Sequence, residues 1–505
     1  MATDAGADAR DDPDDPYAAL LDHVERITYL EDAGGVLGWD QQVMMPEGGA
    51  PARGKQLSAI SGLTHDLLVD DEVSDLLAAC ESADLDAEDA AVVREIRRRH
   101  DRATSVPGDL VERHAAASSD AQQTWQDAKA ESSWGGFADT LDELKGLRVE
   151  RAEHIAPDAP VYPTLYDDGM PTLPLETVEE IFDDLKDALV PLVEEIRTDG
   201  DELAAPFGDR TFSESEQAAL NEAAADYLGY PDDRGRLDVS PHPFTSGTQF
   251  DARITTRYRE SNPLDALTAT IHEFGHASYQ LGLPDDEYGT PLGSARGEVH
   301  ESQSRFWENH VGRTRAFWEA FLPTFKEHLS GVDELTVDEV YEAANRITPE
   351  NTIRVEADEL TYHMHIILRH EIEQEYLDGD LTVEGIPSRW NEKMEEYLGV
   401  VPADDAHGPL QDIHWTGRFG GFPSYTVGSV LAAQLTAAME EDLDVEGCIR
   451  DEAFEKLWAW QTEHVHQHGQ RYTADELVKV ATGEPLSADA FIEYAETKFR
   501  DLYGL

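Results

Sequence analysis

The sequence predicts a mainly α-helical protein with one small β-sheet. Apolar residues recur at three- and four-residue spacing along most of the chain from Tyr17 onward. Only one region, about residues 237–258, is rich in Thr, Val, Ile and aromatic side chains in a strand-like pattern. No repeat of 20–50 residues is evident, which weighs against a solenoid.

A chain of 505 residues with 40% hydrophobic side chains can bury a large core. Its 39 basic and 105 acidic residues give a formal charge of −66, spread along the whole length. That charge argues against binding nucleic-acid phosphates or an anionic membrane. An acidic surface in which Arg far outnumbers Lys suggests a halophilic protein, whose self-repulsion is screened by high salt. Nine Trp and long periodic apolar segments argue against intrinsic disorder. Cys80 and Cys448 are too few and too far apart for a disulfide framework or a Cys-based metal site. No run of 18 apolar residues is present, and the Asp-rich N-terminus lacks a signal-peptide pattern, so the expectation is cytoplasmic.

In chain order, residues 1–16 are expected as a disordered acidic tail and 17–505 as a single domain. Leu20, Leu21, Val24 and Ile27 mark a first amphipathic helix. Residues 38–42 and 45–49 break its pattern and read as an interhelical loop with Trp39 packed into the core. Helical patterns continue over 52–154, a Pro- and Gly-rich connector covers 161–174, and a helix covers 175–203. The strand candidates are 237–245 and 248–258, joined at Ser246-Gly247. Asp251, Arg253 and Thr255 would share one face, and such a sheet could take an extended peptide by edge pairing.

The next helix carries the densest chemistry. Asn262-Pro263 opens it, and Gly282 and Pro284 close it. Leu264, Leu267, Ile271, Phe274 and Leu281 form its apolar stripe. His272-Glu273-Phe274-Gly275-His276 matches the H-E-x-x-H zinc pattern. Two His four apart lie one turn apart on one face and can reach one metal ion. Glu273 between them is free to take a proton from an attacking water. The plainer reading is a pair of surface histidines on an amphipathic helix.

Such a site needs a third protein ligand. Glu301 lies on a following helical segment, opposite Val299 and Phe306, and Glu298 and Glu308 are rival carboxylates that spacing does not separate from it. A third helix is expected over 348–379, with Arg354, Asp358, Tyr362, His365 and Arg369 as a polar stripe. An Arg there suits a substrate carboxylate. The segment 408–426 gathers Gln411, His414, Trp415, Arg418 and Tyr425. His414 or Tyr425 could donate to the oxyanion of a tetrahedral intermediate. His300, His363, His370, His464, His466 and His468 read as supporting, surface or core residues.

Together these stretches resemble the carboxypeptidase Taq family of metallocarboxypeptidases. The resemblance rests on His242-Pro243-Phe244, Asp251-Ala252-Arg253-Ile254-Thr255, the H-E-x-x-H stretch, His300-Glu301-Ser302-Gln303, and Gly408 through Trp415, all in the family's order. The loop at Trp39-Asp40-Gln41 and the segment 353–359 add to it, so that it spans about residues 17–505. It implies a large helical metallopeptidase fold of the gluzincin-like kind, with a small β-sheet lining a deep active-site cleft, usually as a homodimer. It implies release of single residues from peptide C-termini with broad specificity, using Zn2+ or Co2+ in its place. Carried over by position, His272, His276 and Glu301 are the metal ligands and Glu273 the general base. Arg354 matches the residue that binds the terminal carboxylate, and His414 and Tyr425 match positions near the carbonyl oxygen. His242, Asp251, Arg253 and Gln411, which lie in the matching stretches, are further substrate-binding candidates. Met44-Met45-Pro46 and the extreme acidity depart from the family's usual form. The alternatives are a zinc oligopeptidase of related helical fold, without recognition of the terminus, and a non-catalytic helical scaffold. The intact Glu273 and complete ligand set weigh against the scaffold.

Overall fold

The computed structural model describes residues 15–208 and 210–505. Helices hold 69% of the residues and strands 3%, which makes the fold mainly α. The expected disordered tail falls mostly on residues 1–14, which lie outside the described residues. Asp15 and Pro16 belong instead to the first helix, Pro16–Val43. The Asp15 carboxylate accepts the Tyr17 N–H at 3.0 Å, and Pro at the first helical position loses no hydrogen bond.

That helix also corrects the loop expected at 38–42. It runs unbroken through Gly34, Gly35 and Gly38 and ends only before Pro46. Tertiary contacts outweigh the weak helix propensity of the glycines. Trp39 is buried between the guanidinium groups of Arg236 and Arg253, 4.9 and 4.3 Å from its ring. Arg53, from the next helix (Ala50–Leu68), donates to the Leu37 carbonyl and to the Asp40 carboxylate.

One hydrophobic core runs from Ala121 to Tyr503. A smaller one, including Leu20, Val24, Val73, Leu77 and Ile96, holds the N-terminal helices together. The sheet has three strands, β1 (Gly235–Val239), β2 (Thr245–Thr248) and β3 (Asp251–Thr256), in the order β1-β3-β2. β1 pairs parallel with β3 and β2 antiparallel with it, both in register at Ile254, through Leu237 and Thr245 respectively. The expected hairpin turn at Ser246-Gly247 is therefore wrong: these residues lie inside β2, and Gln249-Phe250 make the turn. Pro241 and Pro243 lack N–H groups and split the first candidate strand. Gly247 has φ +144°, and a Cβ there would stand 1.8 Å from the Asp251 carbonyl oxygen.

The helix expected over 348–379 begins only at Thr361 and runs to Asp378. Arg354 sits on a short 3-10 turn in the loop before it. Pro349 and the β-branched Thr352, Ile353 and Val355 disfavour an earlier start. Asp358 accepts from the N–H groups of Thr348, Leu360 and Thr361, and so ties the loop to the helix start.

Candidate active site

The motif helix, Pro263–Leu281, starts as its sequence asks, with the Asn262 side chain accepting the Leu264 N–H at 3.1 Å. Leu264, Leu267, Ile271 and Phe274 are buried, which turns His272 and His276 toward the next helix, Gly297–Arg305. Glycine makes that approach close. A Cβ at Gly275 would lie 2.5 Å from the Ser304 Cα, and one at Gly428 would lie 2.4 Å from the Glu301 Cγ. Gly428 belongs to the helix Pro423–Asp442, so two glycine-bearing helices grip the one that presents Glu301.

The ligand atoms of His272, His276 and Glu301 all lie within 4.8 Å of one another. Glu301 Oε2 is 3.3 Å from His276 Nε2 and 3.9 Å from His272 Nε2. Tetrahedral ligands about 2.0–2.1 Å from a zinc ion stand about 3.3–3.4 Å apart, so the three fit such an ion with little movement. No other group of this kind occurs among the described residues. Geometry also separates the rival carboxylates. Glu298 accepts from the Thr172 hydroxyl at 2.7 Å and pairs with Arg296. Glu308 accepts from His272 Nδ1 at 2.8 Å and so braces that ring from behind.

Arg305 reaches both Glu301 Oε1 and Glu308 Oε2 at 2.9 Å, and Arg313 holds Glu308 Oε1 at 2.7 Å. Glu308 lies on a π-helical turn, Phe306–Gly312, that follows the Glu301 helix directly. Burial pushes both carboxylates up, but the arginines and His272 outweigh it and hold them below the usual carboxylate range. Burial disfavours a charged His272, yet Glu301 and Glu308 overcome it and raise its pKa.

Glu273 is buried beside the set, and the Thr245 hydroxyl of β2 donates to its Oε2 at 2.6 Å. His272 and Glu273 line a cleft of about 550 Å³ together with Arg305, Arg354 and Tyr362. Arg354 donates to Asp412 from Nε at 2.8 Å and from Nη2 at 3.1 Å, and its Nη1 faces the Tyr362 hydroxyl at 3.2 Å. Arg369 pairs with the same Asp412 at 2.8 Å. Tyr425 lies beside Arg354, whose Cζ is 5.7 Å from its ring, and meets Tyr362 edge-on. His414 packs on Phe422 at 4.8 Å with its Nδ1 buried and unpartnered. Burial, reinforced by Arg354 and Arg369 against Asp412, lowers it to about 4, so its imidazole is neutral at pH 7.

The other sequence candidates stand differently. The Gln411 amide gives all its recorded hydrogen bonds to backbone: it accepts from Arg354 N and donates to the carbonyls of Thr352 and His407. It holds the Arg354 loop rather than facing the cleft. Arg253 is paired with Asp251 on β3 and stacked on Trp39. His242 borders a hollow with Trp39, Phe244 and Thr245, and Pro243 lines both that hollow and the cleft. The supporting roles of Asp412, Arg305 and Thr245 escaped sequence reading, because nothing in their spacing separates them from other polar residues.

Fold and site suit a helical metallopeptidase, with two histidines and a glutamate grouped closely enough to hold one metal ion and a buried carboxylate beside them. The carboxypeptidase Taq (M32) metallopeptidase model matches residues 19–499, and the chain belongs to that family. It is 36% identical to thermostable carboxypeptidase 1 of Thermus thermophilus, over 97% of this chain and 100% of that protein. The crystal structure of the M32 carboxypeptidase from Deinococcus radiodurans superposes with a TM-score of 0.92 at 35% identity, covering 97% of this chain and 100% of that one. Pyrococcus furiosus carboxypeptidase gives a TM-score of 0.93 at 34% identity, covering 96% and 99%. Membership of a metallopeptidase family implies a divalent metal, and the His272–His276–Glu301 cluster suits one. No helix among the described residues is long and apolar enough to cross a membrane.

Proposed function

We propose that this chain is a carboxypeptidase that uses zinc, or cobalt in its place, to release single residues from the C-termini of peptides with broad specificity. The observation that carries the proposal is one cleft bordered by the metal-ligand His272, the carboxylate of Glu273 and the arginine Arg354. His272, His276 and Glu301 would hold a divalent ion, which would supply Lewis acidity to the reaction.

Glu273 is the general base. Thr245 anchors its Oε2 and leaves Oε1 to take the proton of the attacking water and pass it to the leaving amine. Arg354 reads the terminal carboxylate. Asp412 occupies the Nε side of its guanidinium and the Tyr362 hydroxyl takes one Nη1 proton, so the other Nη1 proton and the second of Nη2 remain for a paired contact. The Tyr425 hydroxyl, whose pKa burial raises, stays protonated and can donate to the carbonyl oxygen as its charge develops. Neutral His414 offers a second donor to the same end.

The formal charge of −66 supports a further part of this reading: the surface is adapted to high salt. An oligopeptidase would share the metal site, but it would have no use for an arginine braced by a buried carboxylate in the cleft.

Glu273→Gln tests the mechanism. The variant is expected to bind zinc with unchanged stoichiometry by elemental analysis and to lose at least about 1000-fold in kcat, beyond the usual 10²–10⁴-fold worth of acid–base catalysis at its low end. Near-normal turnover would remove Glu273 from the reaction.

A further inference from the structure

The two histidines of the ligand set are supported unequally. Both turn Nε2 toward Glu301, so both must carry their ring proton on Nδ1 when Nε2 ligates a metal. His272 Nδ1 meets the Glu308 carboxylate at 2.8 Å, an acceptor that never donates when ionised. His276 Nδ1 meets another imidazole, His300 Nδ1, at 2.6 Å. An imidazole nitrogen either donates or accepts, according to its tautomer.

His300 is itself enclosed. Its ring packs on His276 at 4.6 Å and on Tyr279 at 5.3 Å. Its Nε2 faces the amide nitrogen of Gln280, Nε2, at 3.2 Å. Gln280 follows His276 by four residues on the motif helix, so one helix holds both ends of the chain His276–His300–Gln280. The direction of that chain is set at its Gln280 end. If Gln280 donates its N–H to His300 Nε2, His300 bears its proton on Nδ1 and donates it to His276, which leaves the His276 proton on Nε2. If Gln280 presents its oxygen, His300 bears its proton on Nε2, accepts from His276 Nδ1–H, and the His276 Nε2 lone pair is free.

We infer that His300 is a positioning residue for His276, and that metal binding requires the Gln280 amide to turn, bringing its oxygen in place of its nitrogen toward His300 Nε2–H. The inference rests on the metal-site reading above. It assigns the two ligands unlike partners, an anion for His272 and a switchable neutral chain for His276. Each ring keeps one proton in both directions, so the reversal moves protons without changing their number.

The test is a chelator competition for zinc with two uncharged variants. Asn at position 300 carries an oxygen near the place of the imidazole Nδ1, and Leu fills similar space with no acceptor. His300→Leu is expected to weaken zinc binding about 10–100-fold, the usual cost of losing such an outer partner. His300→Asn is expected to stay within about threefold of the unaltered protein. Equal weakening in both, or none in His300→Leu, would overturn the inference. Neutron diffraction from zinc-loaded crystals reads the direction itself and does not depend on either variant folding. Deuterium is expected on His276 Nδ1 and His300 Nε2, with the Gln280 oxygen facing His300; deuterium on His300 Nδ1 would overturn it. If the unaltered protein binds no zinc, the metal-site reading fails first, and this inference with it.

Discussion

Arg354 is paired with Asp412 on one side, and its Nη1 donates to the Tyr362 hydroxyl on the other. Asp412 takes its Nε and Nη2, and Arg369 on the far side of Asp412 keeps that carboxylate paired. Burial alone would raise the Asp412 carboxyl, but the two arginines hold it well below the usual carboxylate range. A paired, charge-assisted contact with a substrate carboxylate is worth about 1.5–3 kcal/mol. Arg354→Lys should therefore lower kcat/KM on a free-acid peptide by about 10–100-fold, since an ammonium cannot reproduce the planar fork. Steady-state kinetics with a chromogenic peptide would show it, and unchanged kinetics would place the anchor elsewhere. At this scale His272, Glu273 and His276 were legible because a helix puts residues four apart on one face. Glu301 was not separable by spacing from Glu298 and Glu308, because acidic residues are so frequent. Their partners separate them: Thr172 and Arg296 engage Glu298, while His272 Nδ1, Arg305 and Arg313 engage Glu308.

Among the elements, three helices meet at the site, and two glycines let them. Gly275 admits the backbone of Ser304, and Gly428 admits the side chain of Glu301. Gly275→Ala puts a methyl group against backbone that cannot rotate away, so the Glu301 helix must shift outward. Overpacking of this kind costs about 1–3 kcal/mol. Thermal unfolding of the metal-free protein should show that loss, together with weaker zinc binding as Glu301 moves from the two histidines. An unchanged melting temperature would contradict the packing described. The motif helix was legible from end to end, through its Asn262 cap, Pro263 and Gly282. The first helix was misread at Gly38 because local propensity cannot anticipate Arg53 bonding back to Leu37 and Asp40. The loop bearing Arg354 was misread as helix because its polar spacing is three and four. Those residues converge on Asp412 and the cleft through a loop and a helix, not along one face.

For the whole molecule, a chain of formal charge −66 sets five arginines, 257, 305, 313, 346 and 354, around one cleft. The negative surface repels itself at low salt and is screened within about 3 Å at 1 M. Arg305, Arg313 and Arg354, all lining the cleft, are tied to carboxylates, so the cleft presents an ordered lattice of charge. The class of fold was legible from periodicity alone, since few stretches break the helical pattern. The pairing of the strands was not, because their order depends on where two prolines interrupt the ladder. The reaction proposed for this cleft is metal-dependent removal of single residues from a free C-terminus. It is tested most directly by incubating the zinc-loaded protein, in molar salt, with one peptide as the free acid and as the C-terminal amide, and following both by mass spectrometry. Expected are a ladder of single-residue losses from the free acid, none from the amide, abolition by a chelator and recovery with zinc or cobalt. Internal cleavage of the amide at a comparable rate, or a ladder untouched by the chelator, would contradict it.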